Sequence, residues 1–193
     1  MSEKDEEPLS TSAPPYWQTA GVLGNLAPTN PAVLQVMAEA RLGNIHYAAI
    51  GRVAAAWAHF EALVDMWLHE FAGVDTEVGV CFTGQMIGAR PRIDGFIALA
   101  RHRGAARKWN KKLGELAKYA QALGEQRNRA VHDVWELSDP MTPHRLEATA
   151  RQTVRVLPVH VPTQDLLDLG SHIAQLEQRF DKTAYTIFNE LRA

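Results

Sequence analysis

The densest run of chemically capable side chains is EQRNRAVHDVW, residues 125–135. Arginine offers a permanent cation whose planar fork matches phosphoryl oxygens. Histidine titrates near neutrality and can pass a proton in either direction. Asparagine can both donate and accept, and so can hold either group in place. On a helix, Asn128 and His132 lie four residues apart and share a stripe, and Arg127 falls on the adjacent one. The packing stripe of that helix reads Leu116, Ala120, Leu123, position 127, Val131, Val134, so a guanidinium stands where an aliphatic side chain is expected. All three groups can then point into one cleft. His132 closes the helix, where the helix dipole favours a cation and would help an imidazolium persist near neutral pH.

An earlier helix carries a matching irregularity. Trp57, position 61, Val64 and Leu68 form an apolar stripe, and position 61 is Glu. A lone carboxylate and a lone guanidinium are each disfavoured in a bundle core. One of each predicts a Glu61–Arg127 pair, bidentate where geometry allows. The same pair could instead serve only to fix helix register.

The elements that must position these groups follow from periodicity. Residues 1–31 hold five of the ten prolines and an acidic cluster (Glu3, Asp5, Glu6, Glu7), and read as a flexible tail over 1–30, with Tyr16 and Trp17 able to touch the body. A mainly α domain spans 31–193. It opens with a short helix over 31–41 that carries Pro at its first turn. A long helix follows over 45–71, with Ile50, Val53, Trp57, Phe60, Val64, Trp67, Leu68 and Phe71 at three- and four-residue spacing, ended by Gly73. Residues 75–91 read as one short helix and a turn closed by Pro91. Residues 92–103 form another helix ended at Gly104, and 105–132 a second long one. Four prolines and alternating runs between 134 and 162 predict a small hairpin or two to three short strands. Thr163 is placed as N-cap of a last helix over 164–191, with Leu166, Leu169, Ile173, Leu176, Phe180, Ile187 and Leu191 inward. The fold class is a helical bundle with a small β-hairpin insert before the last helix.

Composition narrows the function classes. A 193-residue chain that is 46% hydrophobic and 22% charged is ordinary for one soluble domain. One cysteine, Cys81, leaves no intramolecular disulfide or cysteine-based zinc cluster, and is read as a small core residue. No apolar run reaches the ~18–20 residues of a membrane span, and no secretory h-region is visible at the start, so the expected location is cytoplasmic. The net charge of −2 hides a segregation. Arg90, Arg92, Arg101, Arg103, Arg107, Lys108, Lys111 and Lys112 fall within 23 positions against one acid, Asp94. Such a stripe can hold a polyanion, or can be a solvated helix face. Trp109 within it could stack on a base or pack inward.

The run RNRAVH fits the R-N-x-x-x-H signature of the HEPN superfamily, the all-helical domains of many prokaryotic toxins, defence proteins and CRISPR-associated ribonucleases. The helix AWAHFEALVDMWLHEFAG, the HDVW that follows the motif, and a long closing helix after a small β insert also resemble one branch of it. The resemblance covers about residues 31–193. It implies a metal-independent endoribonuclease without a cofactor, acting as a homodimer whose motif helices face each other across a composite cleft. Arg127 and His132 would be the catalytic pair and Asn128 their support. Glu61 would orient the arginine from the earlier helix. Arg101, Arg103, Arg107, Lys108, Lys111, Lys112 and Arg129 would hold RNA. An antitoxin or other regulatory protein is an expected partner, and a membrane is not. Asp133, directly after the histidine, departs from the pattern and could pair with His132 or with incoming basic groups. The alternative is a non-catalytic helical module that binds RNA, nucleotide or a partner protein.

Other signals are discounted. LHEFAGV lacks the second histidine of a zinc-protease helix. His46, His59, His69, His102, His144, His160 and His172 are scattered, and no metal site is assigned. GVLGNL and TGQMIG lack a phosphate-loop pattern, and no G-x-S-x-G elbow occurs.

Overall fold

The computed structural model describes residues 43–139, 142–150 and 154–193. The tail and the helix expected over 31–41 lie outside the described residues. Among those residues the order is α1 (Asn44–Ala72), α2 (Thr76–Thr83), α3 (Ala89–His102), α4 (Lys108–His132), β1 (Val134–Asp139), β2 (Thr142–Ala150), β3 (Val154–His160) and α5 (Thr163–Arg192). The protein is mainly helical, with an antiparallel sheet before the last helix.

Helix α1 is the axis of the bundle and packs against α3, α4 and α5. Its apolar stripe places Val53, Trp57, Phe60, Val64, Leu68 and Phe71 in the core. Phe60 meets Phe180 of α5 edge-on at 5.9 Å, and Phe71 meets Phe96 of α3 at 4.8 Å. Such tilted ring pairs add specific geometry to apolar burial. Trp67 keeps its indole N–H satisfied by donating to Asp181 at 2.9 Å. Gly73 ends α1 in the left-handed conformation, φ 71°, which only glycine adopts without steric cost.

Several boundaries differ from the sequence reading for identifiable reasons. Pro91 does not close a turn; it lies in the first turn of α3, where its missing N–H is no loss. Thr163 is the first helical residue of α5 with Pro162 before it, and its hydroxyl meets His46 Nδ1 at 3.0 Å instead of capping. Cys81 is exposed on α2, where its thiol reaches the Glu77 carbonyl. Its position is buried neither by α1 nor by α3. Along α4 the buried positions are Leu113, Leu116, Ala117, Ala120, Leu123 and then Ala130, while Val134 has left the helix and is 62% exposed.

The sheet is a meander in the order β1–β2–β3, with Val134 opposite Leu146 and Leu146 opposite Pro158. Pro158 lies on the edge strand, the place a residue without an N–H can occupy. The irregularity between Leu137 and Asp139 is a bulge-like register shift near the first turn. Trp135, at the start of β1, donates to the Ala130 carbonyl at 2.9 Å and ties the sheet to the end of α4. No helix among the described residues is long and apolar enough to cross a membrane.

Two substitutions test this packing. A Cβ at Gly79 would collide with the buried His69 ring, which also contacts Thr83 Oγ1 at 3.2 Å. Gly79→Ala is expected to lower stability by about 1–3 kcal/mol in urea denaturation. Gly51 has open space around it within α1, so Gly51→Ala is expected to add about 0.5–1 kcal/mol. Burial pushes the His46 pKa below its ordinary 6.5, and its ring is seated at 4.6 Å from Trp135. The unfolded chain therefore binds the proton first on acidification. The stability due to neutral His46 is complete above the ordinary value and is lost as the pH falls toward the depressed one. A Tm that falls more steeply between about pH 7 and 5 in wild type than in His46→Gln is the expected outcome.

Candidate functional site

Arg127, Asn128 and His132 converge. Arg127 Nη1 donates to Asn128 Oδ1 at 3.0 Å and to His132 Nε2 at 3.2 Å. A guanidinium has no lone pair to offer, so Nε2 is the accepting nitrogen and the imidazole proton of this contact's tautomer resides on Nδ1. The Nε of Arg127 is buried without an acceptor among the described residues. Asp133 then leaves the helix in an extended conformation, and its N–H still reaches the Arg129 carbonyl.

The three groups line an open cleft of about 480 Å³ between α1, α3 and α4. Trp57, 5% exposed, faces Gly124 at the cleft wall; a Cβ at position 124 would come within 3.0 Å of the indole edge. Ile87, 93% exposed, stands at the rim on the turn between α2 and α3. Arg90, Gln121 and Glu125 complete the polar lining, with Arg90 donating to Gln121 at 2.8 Å and to Asp94 at 2.7 Å. The sequence reading missed Gln121, Gly124 and Arg90. The first two were within reach, since 117, 121, 124 and 128 follow one helical face back from Asn128. Arg90 comes from another helix and carries no local signal.

The expected Glu61–Arg127 pair does not form. Glu61 lines the same cleft, but its partner is Arg92 at 3.7 Å. Arg92, with a side chain only 13% exposed, donates to Asp65 at 2.8 Å and to the carbonyls of Gly88 and Thr83 at 3.0 and 3.3 Å. It joins α1 to both ends of the α2–α3 turn, and so sets the rim that carries Ile87. Glu61 does have a cation partner, and it comes from α3, which packs against α1 as α4 does.

Asp133 is likewise held away from His132. Arg145 of β2 takes its carboxylate at 2.8 Å, and Glu147 bridges Arg145 at 3.4 Å and Arg129 at 2.8 Å. Arg129 is therefore engaged by the sheet. Of the remaining residues expected to hold RNA, Arg101 donates to Asn110 at 3.0 Å, and Lys108 pairs with Glu190 at 2.8 Å. Trp109 also donates to Glu190, and these two donors hold that carboxyl below the usual carboxylate range. Lys112 lies 5.4 Å from the Trp109 ring. Arg103, Arg107, Lys111 and Lys112 are exposed around the α3–α4 corner. From Lys112 to Arg127 the helix rises by roughly 22 Å. Arg90 is the member of the basic stripe that lines the motif cleft, and none of Arg101, Arg103, Arg107, Lys108, Lys111, Lys112 or Arg129 does so.

Double-mutant cycles separate the two pairing schemes. The Arg92–Asp65 coupling is expected at about 1–2 kcal/mol and Arg92→Met is expected to cost about 2–3 kcal/mol, because two half-buried carboxylates lose their cation. The Glu61–Arg127 coupling is expected below about 0.5 kcal/mol. No family model, curated protein or solved structure matches this chain.

Proposed function

We propose that the chain is a metal-independent endoribonuclease that acts as a homodimer in bacterial defence or as the toxin of a toxin–antitoxin pair. The observation that carries the reading is the 3.2 Å contact of Arg127 Nη1 with His132 Nε2 inside an open cleft, with Asn128 on the same guanidinium. RNA brings its own nucleophile, so the protein has to move protons and stabilise charge. Arg127 exchanges its bond to His132 Nε2 for the non-bridging phosphoryl oxygens, and the freed Nε2 lone pair takes the proton of the ribose 2′-hydroxyl as its oxygen bonds to phosphorus. The bond from phosphorus to the 5′-oxygen breaks, and that oxygen takes a proton from the second imidazole, supplied by a partner copy. Arg127 stabilises the charge on the non-bridging oxygens, and Asn128 holds the guanidinium's orientation. The products are a 2′,3′-cyclic phosphate and a 5′-hydroxyl. The buried, unsatisfied Nε of Arg127 supports a role beyond packing, since such a donor costs about 1–3 kcal/mol that an aliphatic residue would save.

A second reading has its own observation. Glu61 and Glu125 stand in the cleft, and none of the cations expected to hold RNA lines it. This lower positive charge favours a non-catalytic module that binds a partner protein through the same cleft. Purified wild type and the Arg127→Ala/His132→Ala variant incubated with total RNA in excess chelator decide between them. The ribonuclease reading expects cleavage by wild type, ends carrying cyclic phosphate, and a loss of at least about 100-fold in the variant. Equal cleavage, or none by either protein, favours the module.

A further inference from the structure

A second cleft, of about 460 Å³, opens where α1 and α3 end beside the last turn of α5. The half-buried Phe188 and Leu191 give it an apolar surface over the buried Phe71, and Arg103, Arg192 and Glu70 line it as well. Gly73 at this corner lies roughly 18 Å along α1 from Glu61, so the cleft is separate from the motif site.

Both guanidiniums are positioned without being neutralised. Nη2 of Arg103 lies so close to Gly73 that a Cβ there would be 2.9 Å away. The glycine that ends α1 therefore leaves room for this arginine. Arg192 stacks on Phe188, its guanidinium carbon 4.1 Å from the ring centroid. Neither arginine makes an ion pair or a side-chain hydrogen bond among the described residues, Glu70 included. Two cations held beside an aromatic and aliphatic floor complement a ligand with a compact anionic head and a flat apolar body. Glu70 on the rim opposes a long polyanion laid across the opening. Because Arg192 is already stacked on Phe188, its engagement loses little rotamer freedom.

We propose that this cleft binds a small organic anion that joins a phosphate or carboxylate head to an apolar, planar body. The head lies between Arg103 and Arg192, and the body covers Leu191 and the part of Phe188 that Arg192 leaves open. This assignment is independent of the ribonuclease reading.

Calorimetric titration of the full chain with naphthyl phosphate, naphthoate, naphthalenemethanol and inorganic phosphate tests it. Naphthyl phosphate and naphthoate are expected to bind at one per chain and to compete. The ratio of their affinities shows which head the site prefers. The neutral alcohol and inorganic phosphate are expected to bind at least about tenfold more weakly. Arg103→Gln and Arg192→Gln, both at exposed positions, are each expected to weaken the aryl anions about tenfold with an unchanged melting curve. The Arg127→Ala/His132→Ala variant is expected to bind them as wild type does. The proposal is overturned if neither aryl anion binds, or if the neutral alcohol binds as tightly. It is also overturned if both glutamine variants retain full affinity, or if the Arg127→Ala/His132→Ala variant loses binding.

Discussion

A guanidinium can only donate, and that asymmetry organises the end of α4. By donating to His132 Nε2, Arg127 fixes which imidazole nitrogen carries the lone pair, and by donating to Asn128 it fixes its own plane. The contact needs residues five apart to meet at the helix terminus. It also needs the chain to turn away immediately afterwards, so that no further helical turn covers the ring. Asp133 makes that turn, and Arg145 holds its carboxylate on the sheet side. Without that ion pair a carboxylate would be free to approach the imidazole and compete for the guanidinium.

The rest of the bundle maintains the cleft around this contact. Trp57 against Gly124 brings α1 and α4 close, since any side chain at 124 would press on the indole. Arg92 ties α1 to the α2–α3 turn through two carboxylates and two carbonyls, and so holds the rim open at a fixed distance. Trp135 fastens β1 to the last turn of α4 by its bond to Ala130. The three-stranded sheet thereby acts as a brace for the motif helix, and its Glu147 and Arg145 complete a charge network with Arg129 and Asp133.

The bundle itself was legible because its signals are periodic. The three- and four-residue spacing of α1 and α5 set both faces and both lengths, and Gly73 and Gly104 marked real helix ends. The convergence of Arg127, Asn128 and His132 followed from spacing on one helix. Pairings between helices were not legible, since periodicity gives each helix a face but no partner. Glu61 accordingly went to Arg92, a residue whose local sequence marks it only as one more positive charge. The partners of the basic stripe were not legible for a related reason. Density of charge along the chain says nothing about which partners the fold delivers, and the Glu190 carboxylate and the Asn110 amide meet Lys108 and Arg101 only in three dimensions. Cys81 failed as a core residue because α2 is short and presents that face to solvent.

The central claim is that Arg127 imposes a single tautomer on His132, with Nε2 unprotonated and the ring proton on Nδ1. Imidazole nitrogen chemical shifts of His132, recorded by NMR on wild type and on Arg127→Gln, measure this directly. The account expects neutral His132 in wild type to carry its proton on Nδ1, with Nε2 unprotonated, and expects a mixture of tautomers once the guanidinium is gone. A wild-type His132 protonated on Nε2, or one indifferent to the loss of Arg127, would contradict it.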